Sequence, residues 1–288
     1  MKKKRVSIIV SFVLLLAIML TACGSKTTQT KENNDANVTP LPKDQTETEA
    51  TATPSAEEVT ILVAAASSLE YSYTQELIPM FQEKYPNITV DGTYDSSGKL
   101  QTQIEEGLDA DVFMSAAKAQ MTALTDERLI DSDSVVDLLE NKIVLITGKD
   151  NNDSLAAFED IAKAQTVAIG DPESVPAGQY AKEALTSLGL WDTVEAKASL
   201  GTNVTEVLNW VSAGSADAGV VYATDAATTQ DVKVIAEAPE GALAQPVLYP
   251  IGIVTNSTKK DTAKLFTEFL QSDEALAIFE KYGFTINK

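Results

Sequence analysis

Four short segments of the chain carry residue types suited to holding an anion without a charged side chain. The first is Val63-Ala64-Ala65-Ala66-Ser67-Ser68-Leu69, where small residues run into Ser. The second is Tyr94-Asp95-Ser96-Ser97-Gly98-Lys99-Leu100. The third spans Gly170 to Gly178, with Pro176 and Ala177 near its end, and the fourth is Gly201-Thr202-Asn203-Val204-Thr205-Glu206. Each reads as a strand end meeting a helix start. Ser, Thr and Asn are N-cap residues, and Pro fits the first helical position. A helix start presents unpaired N–H groups and about half a positive charge, so an oxyanion is its natural guest. In α/β sheets, ligands gather at the carboxyl ends of strands, where such turns lie. Ordinary N-capping uses the same residues. Only convergence of all four would make a pocket able to bind a dianion with no Arg or Lys.

Composition removes several other chemistries. The chain has 288 residues, 22 Lys+Arg, 42 Asp+Glu, no His and one Cys, with a formal charge of −20. So acidic a chain lacks the basic face that nucleic acid requires. Without His there is no His general base, Ser-His-Asp triad or His metal ligand. One Cys excludes an intrachain disulfide and a Cys-based zinc site. Ser115-Ala116-Ala117-Lys118 and Ser257-Thr258-Lys259-Lys260 match an S-x-x-K pattern, but neither comes with K-T-G, so no enzyme is expected. Asp150-Asn151-Asn152-Asp153 lacks the Gly and the terminal Glu of a calcium loop and reads as a solvated turn. Past the N-terminus there is one Arg, Arg128, in what reads as a surface helix end. That argues against organic-acid ligands, which call for an Arg clamp.

The N-terminus reads as an address. Lys2, Lys3, Lys4 and Arg5 precede an apolar run from Ile8 to Leu20, the n- and h-regions of an export signal. At 1.5 Å per residue that run is too short to span a hydrocarbon core of ~30 Å comfortably. Cys23 follows at once, in Leu20-Thr21-Ala22-Cys23-Gly24, which resembles a bacterial lipobox with lipid attached to the Cys. Removing residues 1–22 takes away four basic residues and no acidic ones, leaving 18 basic against 42 acidic, or −24. Such a surface repels an anionic membrane, so the lipid must hold the protein there. Residues 23–57 are rich in Thr, Pro and acidic residues, and residues 24–58 have no aromatic. They read as a disordered tether.

The remaining length, about 230 residues, suits two domains or one large one. Strand-like runs are expected at 59–66, 88–92, 111–114, 142–147, 166–169, 218–222, 232–235 and 248–255. Helical spacing appears at 67–85, 99–106, 180–188, 204–213, 261–271 and 273–282. The stretch 223–229 reads as a loop with a helical turn, and Trp191 and Trp210 as packing residues. Alternation of strands and helices implies an α/β fold with parallel sheets covered on both faces.

The motifs resemble those of the molybdate-binding proteins of ABC importers. The matching segments are VAAASSL at 63–69, SSGKLQTQIEEG at 96–107, ADVFMSAA at 110–117 and GDPESVPAGQYAKEAL at 170–185. LGLWDT at 188–193, GVVYATDA at 219–226, Tyr249-Pro250 and FEKYGFTI at 279–286 extend the match over the whole globular part. The resemblance implies a two-lobed type II periplasmic-binding-protein fold, each lobe a mostly parallel sheet flanked by helices, with the ligand cleft between lobes. Lobe I would be 58–140 plus 248–288 and lobe II 141–247, with hinge closure over the ligand. It implies that Ser67 and Ser97 give hydroxyl and N–H, Ala177 and Val204 give backbone N–H, and Tyr222 gives its phenolic hydroxyl. The bound species would be the molybdate or tungstate oxyanion, with no cofactor and no direct metal-cation ligand. The partners would be an ABC permease and its ATPase, with a monomer anchored through Cys23 on the extracytoplasmic face. Three departures stand out: Ser68 beside Ser67, Gly98 where a small polar residue is frequent, and a loose match around Val204. A pocket of donors with no acceptor suits a fully deprotonated dianion, whereas an acceptor would favour an anion carrying a proton. Sulfate, phosphate or a non-transport surface lipoprotein are the alternatives.

Overall fold

The computed structural model of the chain describes residues 58–151 and 155–287. The expected signal segment, Cys23 and tether lie outside them, as does part of the 150–153 turn. No helix among the described residues is long and apolar enough to cross a membrane.

Two sheets organise the described chain. The first has strands β1 (Val59–Ala66), β2 (Ile88–Asp95), β3 (Val112–Met114), β4 (Val136–Asn141), β10 (Val247–Ile253) and β11 (Thr285–Ile286), in the order β11-β4-β10-β3-β1-β2. The second has β5 (Ile143–Gly148), β6 (Val167–Gly170), β7 (Ala198–Gly201), β8 (Ala218–Tyr222) and β9 (Val232–Glu237), in the order β7-β6-β8-β5-β9. The near-continuous apolar runs of β1, β5 and β8 are what strands covered on both faces require.

The α/β expectation holds, with a correction: the sheets are mixed rather than mostly parallel. β1 pairs in parallel with β2 and β3, and β6 with β7 and β8. β10 runs antiparallel to β3 and β4, and β5 runs antiparallel to β8 and β9. The cause is the route of the chain. Parallel neighbours need a helical crossover, and β5 and β10 are entered without one. Lys142 alone joins β4 to β5, and residues 238–246 join β9 to β10, so the chain changes sheets at those two points.

The helices follow the strand ends. A 3-10 turn Ser67–Leu69, α1 (Glu70–Ser72), a π-turn Tyr73–Leu77 and α2 (Ile78–Lys84) continue from β1. A π-turn holds one more residue per turn than the α-helix around it. Next come α3 (Ser97–Glu105), α4 (Lys118–Asp126), α5 (Pro176–Ser187) and α6 (Trp191–Glu195). The last four are α7 (Val204–Ser212), α8 (Ala223–Ala227), α9 (Lys260–Leu270) and α10 (Asp273–Lys281). Apolar faces of α9 and α10 pack Phe266, Phe269 and Phe279 around Tyr73 and Phe81, all buried. Four strands and helices were not expected, β4, β7, β11 and α6, and of α4 only the end at Arg128 was. Asp137 and Glu140 interrupt the apolar pattern of β4. β7 is a four-residue edge strand with Leu200 48% exposed, so its side chains carry little periodicity. Arg128 ends α4 at φ 61°, exposed, in the left-handed conformation that often closes a helix.

Candidate ligand-binding site

The four turns lie at the carboxyl ends of β1, β2, β6 and β7, each leading into a helical segment. At the first, Ser67 is 7% exposed and its hydroxyl meets no hydrogen-bonding partner among the described residues. The neighbouring Ser68 hydroxyl is 2.9 Å from the Tyr249 hydroxyl. Tyr249 in turn accepts from Asn141 Nδ2 at 3.2 Å, and the same nitrogen donates to Thr224 Oγ1 at 2.8 Å. Ser68 is thus tied to a buried relay running between the two sheets, which separates its role from that of Ser67.

At the second turn, Ser97 is fully buried and its Oγ accepts from the Ala116 N–H at 2.9 Å. A hydroxyl that accepts there keeps its own hydrogen for a ligand. At the third, Pro176 opens α5 without an N–H, and the Gln179 N–H bonds the Val175 carbonyl at 3.0 Å. The Ala177 amide precedes that first helical donor, so it has no helical acceptor. At the fourth, Asn203 Oδ1 accepts from the Glu206 N–H at 2.9 Å, while Glu206 Oε2 accepts from the Thr202 N–H at 2.7 Å. This reciprocal cap leaves Val204 at the first position of α7, 3% exposed. Tyr222 ends β8, 1% exposed, and its hydroxyl donates to the Ala116 carbonyl across a long 3.4 Å.

The structure brings Ser67, Ser97, Ala177, Val204 and Tyr222 together as walls of one small cavity. Larger grooves exist, but they are open and carry ion pairs, Lys118–Asp137 in one and Lys149–Asp231 in another. Unlike those grooves, the small cavity gathers residues from all four turns. Burial pushes the Tyr222 phenol well above its usual pKa, so it stays a donor at neutral pH. Burial also pushes the Asp225 carboxyl up to about 7. Its Oδ2 accepts from the Tyr222 N–H at 3.3 Å.

One expectation needs correcting. The wall is not made of donors alone, because Asp95 belongs to it. Its Oδ1 accepts from the Ser96 N–H at 2.8 Å, from Lys99 Nζ at 3.2 Å and from Asn203 Nδ2 at 3.2 Å. Oδ2 accepts from Lys99 at 3.3 Å. These donors come from three residues on two sheets' worth of chain, a convergence that no local spacing reveals. Among the described residues no group of three or more His, Cys, Asp or Glu could hold a metal ion.

The two halves touch across the cavity. The Gly98 N–H donates to the Ser174 carbonyl at 3.0 Å, and Gln120 Nε2 donates to Gln179 Oε1 at 3.2 Å. The Asn203–Asp95 bond crosses the same gap. Gly98 is therefore more than a turn lacking a hydroxyl. A Cβ there would sit 2.4 Å from the Ser174 carbonyl oxygen, so only glycine lets the two backbones approach.

A family profile described as bacterial extracellular solute-binding protein matches residues 61–285. The chain belongs to that family. A Bacillus subtilis (strain 168) chain, provisionally named ABC transporter substrate-binding lipoprotein YvgL, is 42% identical over 80% of this chain and 87% of its own length. The molybdate-binding protein ModA of Escherichia coli (strain K12) is 37% identical over 80% of this chain and 91% of its own. Among solved structures, the periplasmic molybdate-binding protein of Azotobacter vinelandii matches with a TM-score of 0.69 at 22% identity. That match covers 79% of this chain and 100% of that one, and it establishes the two-lobed fold.

Proposed function

We propose that this solute-binding protein captures molybdate or tungstate in the cavity between its sheets and delivers it to an ABC permease. The observation that carries the reading is the convergence of Ser67, Ser97, Ala177, Val204 and Tyr222 on one small cavity. The E. coli relative, named for molybdate binding, supports the choice of anion. Neutral donors suit a fully deprotonated tetrahedral dianion, since no proton has to be accepted. Each hydrogen bond to a charged group contributes roughly 1.5–3 kcal/mol. Anchoring through a lipid on Cys23, outside the cell membrane, completes the proposal, with the YvgL name as its support. A monomer suffices, because one chain supplies every donor.

The second reading is a protonated oxyanion such as hydrogen phosphate, and Asp95 in the wall favours it. Thermal unfolding with equal concentrations of molybdate, tungstate, sulfate and phosphate decides between them. We expect stabilisation by molybdate and tungstate. A shift with phosphate or sulfate alone overturns the choice of ligand.

A further inference from the structure

Ser96 holds a position whose normal use it does not make. It is the N-cap of α3, where a Ser side chain ordinarily accepts from an amide of the first turn, yet no such bond forms. Its other polar groups are engaged. The Ser96 N–H donates to Asp95 Oδ1 at 2.8 Å, and its carbonyl accepts from the Leu100 N–H at 3.1 Å. Only the hydroxyl is left over. The residue is 3% exposed, and Oγ is buried with no hydrogen-bond partner.

A buried hydroxyl without a partner destabilises a folded chain, so such groups are rare and call for a reason. Two other side-chain atoms share the condition among the described residues, Tyr94 Oη and Gln120 Oε1. Neither residue lines the cavity, whereas Ser96 does, directly beside Ser97. The two serines also differ in state. Ser97 accepts from Ala116, which fixes where its hydrogen points. The Ser96 hydroxyl receives no donor and is free to turn toward whatever occupies the cavity.

We infer that the Ser96 hydroxyl is a further donor to the bound oxyanion, beyond the five residues already assigned. This rests on the oxyanion reading of the cavity. It explains in one step why the cap is left unmade and why the orphaned hydroxyl is kept: the hydroxyl is satisfied when the anion is bound. An anion oxygen then receives adjacent donors from the same helix start, from Ser96 and Ser97.

Ser96→Ala separates this role from a structural one, because affinity and stability should respond differently. Sodium molybdate is titrated calorimetrically into the mature protein, wild type and variant, and the melting temperature of each is read without ligand. We expect the variant to bind molybdate tenfold or more weakly, while its ligand-free melting temperature holds or rises, since an unpaired group has left a buried wall. Affinity within twofold of wild type overturns the inference. A fall in ligand-free melting temperature together with weaker binding also overturns it, by making Ser96 a structural support. Wild-type protein that gives no heat with molybdate counts against the oxyanion reading itself.

Discussion

The surroundings of Ser97 and Tyr222 set what each can give to the cavity. Ser97 Oγ accepts one bond and keeps one hydrogen. Tyr222 holds its phenol proton because its ring is buried, and its bond to the Ala116 carbonyl is long enough to exchange for a better acceptor. We expect Ser97→Ala and Tyr222→Phe each to weaken molybdate binding by about tenfold or more, the cost of one charge-assisted hydrogen bond. Circular dichroism should show the fold intact. Unchanged affinity in both variants by calorimetry refutes the assignment. The four helix starts show in local sequence through their capping residues, whereas the choice of Ser67, Ser97, Ala177, Val204 and Tyr222 comes from the resemblance to the molybdate-binding family. Asp95 and Ser96 could not be picked out either way. Their significance depends on Asn203, more than a hundred positions away, and on an N-cap bond that fails to form.

At the level of elements, the decisive contact is between α3 and the turn ahead of α5. Gly98 and Ser174 meet main chain to main chain, and neither backbone can swing aside as a long side chain would. Gly98→Ala should therefore hold the halves apart. Alanine is also the better helix former, by up to about 1 kcal/mol, so the ligand-free protein should unfold no earlier than wild type. We expect molybdate affinity to fall tenfold or more with no loss of melting temperature. Small-angle scattering should give a larger radius of gyration than wild type at saturating molybdate. A variant as compact as wild type contradicts this role for Gly98. Elements with strong periodicity were legible: β1, β5 and β8 as apolar runs, α9 and α10 as amphipathic helices. β4 and β7 were not, and of α4 only the end at Arg128 was, because a strand carrying Asp and Glu, a short edge strand and a helix burying Gln120, Met121 and Leu124 look locally like loops. Sheet direction was beyond local pattern altogether, since it depends on how the chain travels between halves.

Over the whole molecule, the missing histidines give one carboxyl unusual influence. The chain has no His, the side chain that ordinarily titrates near neutrality. Asp225, pushed up to about 7 by burial, takes that place. Its folded-state pKa lies above the ordinary value near 4. Between about pH 4 and 7 the folded protein holds a proton that the unfolded chain has released, so stability is lost as pH rises through about 7. We expect melting temperature to fall from pH 5 to pH 8. Asp225→Asn keeps an acceptor for the Tyr222 N–H and should remove most of that slope. A slope unchanged in the variant excludes Asp225 as its source. The acidic excess of the chain acts differently. Exposed charges are screened within ~8 Å at physiological salt, so under the proposed function the affinity would rest on the donors inside the cavity.

The two links between the sheets are unequal, Lys142 alone on one side and residues 238–246 on the other. Lys142 leaves no slack, so the hinge closure implied by the resemblance would pivot there. The longer link is exposed at Ala244, Gln245 and Pro246 and has room to stretch. Exposed loop tips of this kind accept inserted domains. A fluorescent protein spliced into that link would sit where the halves swing, with its brightness coupled to occupancy. If the proposed oxyanion binding holds, the asymmetry of the links marks the longer one as the place for an optical reporter.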